Sequence, residues 1–309
     1  MRGLQNIIKL NFLIIVICIS CKSEIKESKL QTLDNSIEIR TENMEIQTVD
    51  TIASGWNTFK YKNLSHETHF IVFEKYPEGK NLKDSKTQIF PVFKKGMDLI
   101  NIGKTDEGIE AFGSLPPWFF KVIFTGGIGL TSPNTTSEST IYLEPGNYLM
   151  ECYVKMSNGQ FHSVMGMYKE IKVTAYKSKT EKPQSTININ ISSENGIKAN
   201  DTYMVGNQTI AVTFTDQKTH EHFLGHDIHL VKLSDEANLE ELDNWMSWFN
   251  PKGLISPSPK GITFLGGVQE MQKSNTGYFK ANLKPGRYAF ISEVPEPTKK
   301  NLLKQFIVK

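Results

Sequence analysis

The chain has 309 residues and carries 35 basic and 33 acidic side chains, which gives a formal net charge of +2. Charges of both signs are spread along the sequence, without a basic stripe or an acidic tail, so we expect no nucleic-acid partner. The length exceeds that of one small domain and fits two domains behind a leader.

The first 20 residues predict a targeting signal. Arg2 and Lys9 give it a positive start, and Leu10 to Ile19 is an apolar run too short to cross a membrane. The run Cys18-Ile19-Ser20-Cys21 resembles the lipobox of bacterial lipoproteins, which implies cleavage before Cys21 and a lipid on that cysteine. An ordinary cleaved signal or a single anchor helix is the alternative. We therefore expect a lipid-anchored protein of the bacterial cell envelope, either periplasmic or exposed at the surface.

Composition divides the remaining chain into a tether and two domains. The polar residues 21–50 predict a flexible tether. Residues 51–177 and 186–309 are rich in short apolar runs that alternate with turn residues, as in β-strands. The polar stretch 178–185 is the predicted linker. Short helical insertions interrupt the strand pattern, one of them after the N-cap residue Asn81.

The second half repeats the first at fixed spacings. Pro145-Gly146 follows Gly126 by nineteen residues, and Pro285-Gly286 follows Gly266 by nineteen residues. Matched residues at both ends of an equal spacing predict two tandem copies of one domain. We therefore predict an all-β protein of two β-sandwiches with short helical insertions.

Soft metal donors are concentrated at the end of the first domain. A predicted strand ends at Cys152, and the following loop contains His162, Met165 and Met167. A thiolate, an imidazole and a thioether suit a soft metal, above all copper. With Cys21 acylated and the signal removed, Cys152 has no partner for an intramolecular disulfide, so it is a ligand, a buried inert thiol or a link between chains.

These residues resemble the cupredoxins, the Greek-key sandwiches of plastocyanin and azurin. Pro145-Gly146 and the Tyr148-to-Cys152 spacing reproduce the family's turn and cysteine strand, and four residues separate His162 from Met167. His69 begins an apolar run, where the family has its first histidine. Nine residues separate Cys152 from His162, more than in the family, so the fold of this loop decides where His162 lies.

The resemblance implies two tandem Greek-key cupredoxin-like sandwiches with copper in the first. It implies the ligands His69, Cys152, His162 and Met167, with Met165 as the rival axial thioether. The second domain has Ser292 in place of the cysteine and Leu302 in place of the methionine, so we expect no such copper site there. Its histidines are either solvent-facing or core residues, with a weak copper or zinc loop site as the alternative; they are His220, His222, His226 and His229.

Other chemistry has little support in the sequence. We find no Ser-His-Asp order and no phosphate-loop context around the glycine pairs, so we expect neither an enzyme nor a nucleotide site. The leading hypothesis is a membrane-anchored lipoprotein that binds copper for electron transfer or copper handling, with a redox or copper-delivery protein as partner. A metal-free module that contacts proteins or glycans is the alternative. A multicopper-oxidase-like enzyme comes last, because His220-Glu221-His222 is a single His-x-His pair.

Overall fold

The computed structural model of the protein describes residues 35–309. The predicted signal peptide, Cys21 and the first part of the predicted tether lie outside the described residues. Strands dominate the described part and helices are short insertions between them, so the prediction of an all-β fold is confirmed. Within residues 35–309, none of the helices is long and apolar enough to span a membrane.

The strands of the first half form a two-sheet sandwich. They are β1 Ile37–Glu42, β2 Glu45–Gln47, β3 Thr51–Asn63, β4 His69–Lys75, β5 Ile123–Thr131, β6 Thr136–Leu143, β7 Gly146–Glu151 and β8 Tyr168–Lys177. The long strand β3 serves both sheets, because its first residues run parallel to β8 and the rest pairs with β6 and β1. In the second sheet β4 lies between β5 and β7, and β7 pairs with β8.

The second half repeats this sandwich. Its strands are β9 Ile187–Ser192, β10 Gly196–Lys198, β11 Thr202–Tyr203, β12 Gly206–Phe214, β13 Ile228–Leu233, β14 Ile262–Val268, β15 Thr276–Leu283, β16 Gly286–Ile291 and β17 Leu303–Val308. Strands β11 and β12 together correspond to β3, since β11 runs parallel to β17 and β12 pairs with β15 and β9. β13 lies between β14 and β16, as β4 lies between β5 and β7. The prediction of two tandem β-sandwiches is confirmed by this strand-for-strand match.

The core of each half lies between its two sheets. In the first half the rings of Phe59 and Phe73 meet with centroids 4.6 Å apart. In the second half Phe290 stacks on Phe306 at 4.6 Å. Phe59 and Phe306 alternate with more exposed residues along β3 and β17, since successive side chains of a strand point to opposite faces. The alternation in the sequence therefore places one face of each sheet in the core.

Residues 37–47, which we expected within the tether, form strands β1 and β2. Ile39 is fully buried and Ile46 is 5% exposed, and β1 pairs in parallel with β3 from Ile37↔Phe59 onward. The prediction of a tether as far as residue 50 is therefore wrong for these residues. Charged residues such as Arg40, Glu42 and Glu45 make the segment polar in composition, although Ile39 and Ile46 belong to the core.

The two glycine pairs have the same backbone role in both halves. Gly127 and Gly267 have φ values of 151° and 148°. A Cβ atom on Gly127 would lie 2.0 Å from the carbonyl oxygen of Ile71, and one on Gly267 would lie 2.0 Å from that of Ile228. Because L-residues rarely adopt this conformation and have no space here, both positions require glycine.

Helical segments follow β4 and lie on both sides of β13 in the chain. The segments after β4 are α1 Leu82–Asp84, a π-helical segment Ser85–Ile89, α2 Phe90–Asn101, α3 Thr105–Phe112 and a 3₁₀ turn Phe119–Lys121. In the second half, a 3₁₀ turn Glu221–Phe223 precedes β13, and α4 Leu239–Trp245 follows it. Asn81 caps α1 in a reciprocal capping box with Asp84, as the sequence predicts. Asn238 caps α4 by accepting from two backbone N–H groups.

The two halves join edge to edge. β6 and β15 pair antiparallel through Tyr278↔Thr140, Phe279↔Ser139 and Lys280↔Glu138. A further antiparallel contact joins β5 and β14 at Leu265↔Thr131. This arrangement brings the helical insertions of both halves, and the loop that follows β7, onto the same end of the molecule.

Candidate metal centre

His69 is the first residue of β4 and is fully buried. The loop before it is held by Asn63, whose side-chain amide donates to Glu67 O and Thr131 O, both at 2.8 Å. Thr68 donates its backbone N–H to Ser256 Oγ of the second half at 3.0 Å. Both ends of this loop are therefore fixed, which fixes the backbone position at which His69 begins β4.

Cys152 follows the last residue of β7 and is also fully buried. Its backbone N–H donates to Met167 O at 3.3 Å, and its sulfur has backbone hydrogen bonds from Phe70 and Val154. Burial raises the pKa of the thiol to about 12, and these hydrogen bonds oppose that rise only in part. Without a bound cation the group is therefore a thiol at neutral pH.

The loop between Cys152 and His162 folds as a narrow hairpin. Lys155 and Phe161 form an antiparallel bridge, Met156 N–H donates to Gln160 O at 2.8 Å, and His162 N–H donates to Val154 O at 2.8 Å. The nine intervening residues are thus used in a turn, and His162 returns beside Cys152. This hairpin explains how the chain accommodates a longer gap than the family has.

The second half holds this hairpin through Lys155, which has no solvent exposure. Its ammonium group donates to Trp248 O at 2.8 Å and Asn250 O at 2.7 Å, and its backbone N–H donates to Leu254 O at 2.6 Å. Burial lowers the pKa of Lys155 to about 8. This role was not predictable from the sequence, since one lysine in a polar loop normally faces solvent.

His69, Cys152 and His162 converge on one point, although they come from three segments of the chain. The two Nδ1 atoms lie 3.1 Å apart, and Cys152 Sγ lies 3.6 Å from Nδ1 of His69 and 3.8 Å from Nδ1 of His162. The point equidistant from these atoms is about 2.0 Å from each, near the bond lengths of about 2.0–2.3 Å that nitrogen and sulfur ligands make to a metal such as zinc. The triangle therefore has the dimensions of a metal site.

The protonation states suit metal binding. Burial, together with the neighbouring His162 ring, lowers the pKa of His69 to about 3, so this imidazole stays neutral at physiological pH. His162 Nε2 lies 3.0 Å from Glu67 Oε2, and its hydrogen bond lowers the pKa of the Glu67 carboxyl. With its proton on Nε2, His162 turns a lone pair on Nδ1 toward Cys152. A carboxylate behind a histidine ligand is a common way to fix ring orientation.

The structure distinguishes the two thioether candidates. Met167 is fully buried, donates its N–H to His162 O at 2.9 Å and accepts from Cys152 N–H, so it lies between the two ligand segments. Met165 is 53% exposed. Met167 is therefore buried next to both ligand segments, and Met165 is a surface residue.

The matching region of the second half has no thiol. Ser292 follows β16 as Cys152 follows β7, and its hydroxyl accepts the backbone N–H of Asp227 at 3.2 Å, where Cys152 accepts that of Phe70. His226 corresponds to His69 and lies 2.8 Å from His220 between Nε2 atoms. The backbone arrangement is retained in this half without the sulfur donor.

A second group of buried polar residues consists of Asp227, His229 and Glu293, whose ligand atoms lie within 4.8 Å of one another. His229 Nδ1 accepts the backbone N–H of Leu130 at 3.0 Å. The neutral ring therefore carries its proton on Nε2, which lies 2.7 Å from Asp227 Oδ2. Nδ1 is occupied by the Leu130 N–H and Nε2 carries the proton, so the ring has no free lone pair for a metal, and this network of polar contacts of His229 with Leu130 and Asp227 connects the two halves.

The predicted histidine cluster of the second half does not converge. His222 stacks on Phe249 with ring centroids 3.8 Å apart, and His229 belongs to the network with Asp227. Only His220 and His226 face each other. The residues of this region therefore act in three separate places.

No protein-family model matches the chain, and no curated protein matches it. Solved structures that are similar to it include auracyanin from Roseiflexus castenholzii, which is 23% identical and gives a TM-score of 0.27. The match covers 45% of this chain and 97% of that one. Auracyanin A of Chloroflexus aurantiacus, described as a "blue" copper protein, has 20% identity, covers 45% of this chain and 98% of its own, and gives a TM-score of 0.28. A multicopper oxidase has 11% identity, covers 89% of this chain and 88% of its own, and gives a TM-score of 0.23.

The last of these comparisons corrects one prediction. The expectation that the chain is not an enzyme is contradicted, because a structure that is similar over 89% of this chain is an oxidase. The sequence argument rested on missing hydrolytic and nucleotide motifs. Those motifs bear on hydrolysis and phosphate chemistry, and they carry no information about oxidation by a metal centre.

Proposed function

We propose that the first half binds one copper ion through His69, Cys152 and His162, with Met167 as a weak axial ligand, and exchanges electrons with a redox partner. The observation that carries the proposal is the triangle of one sulfur and two Nδ1 atoms, about 2.0 Å from a common centre. Two imidazoles, a thiolate and a distant thioether form the donor set of mononuclear blue-copper sites, which supply one-electron transfer.

The surroundings of the triangle favour electron transfer over direct binding of a substrate. His69, Cys152, His162 and Met167 have no solvent exposure, so their own packing excludes water and external ligands. The hairpin and the Lys155 contacts hold the ligand geometry fixed, which keeps rearrangement small when the charge of the centre changes. Electrons then enter and leave through the protein, and Glu67, 30% exposed at its side chain, connects His162 to the surface.

The experiment is a copper titration followed by visible absorption. Wild-type protein should take up one Cu(II) and show an intense thiolate-to-copper charge-transfer band, which Cys152→Ser and His69→Gln abolish. His226→Gln is the matched control, because His226 holds the same place in the second half. A colourless wild-type protein whose melting temperature does not respond to copper would refute the proposal and favour the metal-free binding module.

We further propose that the protein works in the bacterial cell envelope, held to a membrane by a lipid on Cys21, with a redox or copper-delivery protein as partner. The support is the sequence Cys18-Ile19-Ser20-Cys21 after an apolar run. The test is metabolic labelling with a fatty acid and fractionation of cells. Wild type should be labelled and sediment with membranes, whereas Cys21→Ala should lose the label; an unlabelled wild-type protein would contradict the anchor.

A further inference from the structure

A cavity of about 250 Å³ lies between the helical insertions and the sheets, with walls from both halves. Much of its wall is aromatic. The rings of Phe93 and Phe119 have centroids 5.8 Å apart, and Phe223 of the second half lies 6.5 Å from Phe93 and 6.0 Å from Phe119. Trp248 also lines the cavity. These ring faces carry partial negative charge and attract cations.

Three carboxyl groups line the same cavity, and none of its lining residues is lysine or arginine. Glu74 and Glu151 come from the neighbouring strands β4 and β7 and are hydrogen-bonded to each other. Glu270 follows β14 and accepts the backbone N–H of Gly225 at 2.9 Å. Burial raises the pKa of Glu270 to about 8, and it raises the pKa of Glu74 well above its ordinary value. Negative charge inside this cavity is therefore costly unless a cation accompanies it.

We propose that this cavity binds an organic ammonium compound, in which a positively charged nitrogen is joined to an aromatic or apolar body. The carboxylates supply charge-assisted hydrogen bonds to the ammonium group, and the rings contact both the cation and the apolar body. An anion would meet three acidic groups and no lysine or arginine, and a neutral apolar molecule would gain no charge-assisted hydrogen bond from the carboxyl groups.

A metal ion fits this cavity less well than an organic cation does. A metal needs ligand atoms that converge on one point. Among residues 35–309, Asp227 and Glu293 are the acidic residues whose oxygens converge with a histidine nitrogen on one point. The three carboxyl groups of the cavity belong to no such converging group. Charge spread along an aromatic wall suits an extended organic ligand.

The cavity borders the candidate metal centre. Glu151 and Tyr153, which line it, flank Cys152, and Phe161 and Ser163 flank His162 in the same way. Neighbouring residues of an extended chain point to opposite sides, so a ligand here lies on the other side of the segments that carry the metal ligands. The binding proposal itself does not depend on copper, and it is tested on metal-free protein.

The experiment compares two probes of the same shape by isothermal calorimetry, with a chelator present and at a pH above 8, where Glu270 is ionised. Phenethylammonium carries the charge, and 2-phenylethanol is its neutral counterpart. We expect one phenethylammonium per chain, bound at least about tenfold more tightly than the alcohol, because only the ammonium group makes charge-assisted hydrogen bonds to the carboxylates. Tryptophan fluorescence should change on binding, because Trp118 and Trp248 line the cavity.

Two variants locate the site. Glu270→Gln should weaken phenethylammonium binding by about tenfold or more and leave 2-phenylethanol binding unchanged, whereas Glu110→Gln, at an exposed helix position, should alter neither. Phe223→Leu, which keeps an apolar side chain, should weaken the cation more than the alcohol. Failure of phenethylammonium to bind, equal affinity for both probes, or equal behaviour of Glu270→Gln and Glu110→Gln would each overturn the proposal.

Discussion

Replacing Lys155 by methionine tests whether the second half holds the metal-binding hairpin in place. The side chain keeps a similar length and loses its ammonium group. Trp248 O and Asn250 O then lose their donors at 2.8 and 2.7 Å, and each buried carbonyl without a partner costs about 1–3 kcal/mol. The cost of burying the ammonium group, visible in the lowered pKa of Lys155, is removed at the same time.

The two effects oppose each other, and the loss of the carbonyl partners is the larger. We expect the free energy of unfolding to fall by about 2 kcal/mol, measured by urea denaturation. Copper affinity should fall by about tenfold or more, as when groups that position metal ligands are removed, because His162 is no longer fixed beside Cys152. Competition with a chelator of known copper affinity measures this change.

The matched control is Lys172→Met, since Lys172 is exposed on β8 and surface substitutions change stability by less than about 0.5 kcal/mol. If Lys155→Met matches this control in both stability and copper affinity, the hairpin is held by its own hydrogen bonds. The role that we assign to the second half would then be refuted.

Three further predictions follow from single contacts. Glu67→Ala should lower copper affinity by about 10–100-fold in the same chelator competition. Glu67→Gln, which keeps an oxygen acceptor for His162, should retain most of the affinity. Equal losses in both variants would show that Glu67 does not orient the His162 ring. The folded protein keeps a proton on Glu270 up to about pH 8, whereas the unfolded chain releases it near pH 4.5. The melting temperature should therefore fall as pH rises across this interval, and Glu270→Gln should make that fall less steep. Parallel curves of melting temperature against pH for the two proteins would contradict the raised pKa of Glu270. Gly127→Ala should lower the free energy of unfolding by about 2–4 kcal/mol in urea denaturation, because its Cβ would lie 2.0 Å from Ile71 O. Gly79→Ala, which has free space around it, should lower it by about 1 kcal/mol. Equal losses in the two variants would remove the steric argument.

The fold was predictable because its signals are local and occur twice. The glycine pair, the proline-glycine turn and the apolar strand recur at equal spacing, and each has a backbone reason that is independent of the rest of the chain. Strands β1 and β2 were missed, because charged residues outnumber the few buried isoleucines in so short a segment. The composition of a short segment counts its exposed residues as much as its buried ones, so a strand with few buried residues is read as polar.

The candidate site was predictable only in part. His69 and Cys152 stand at strand ends fixed by the repeat, so sequence spacing places them together. The position of His162 depends on contacts of Lys155 with residues almost one hundred positions away, and no local pattern records such contacts. Glu67 was missed for a similar reason, since it lies in an irregular loop and meets His162 only after the hairpin has folded.

The pairing of β6 with β15 has a consequence for solubility. Each of these strands lies at the border of its own sandwich, and each covers backbone N–H and C=O groups that the other would otherwise present to solvent. Uncovered ladders of this kind recruit other chains and start aggregation. Cutting the chain between the repeats would therefore expose the unpaired edges of β6 and β15 if the halves separated. The covalent link keeps the two strands close enough to pair with each other and so protects the molecule from aggregation.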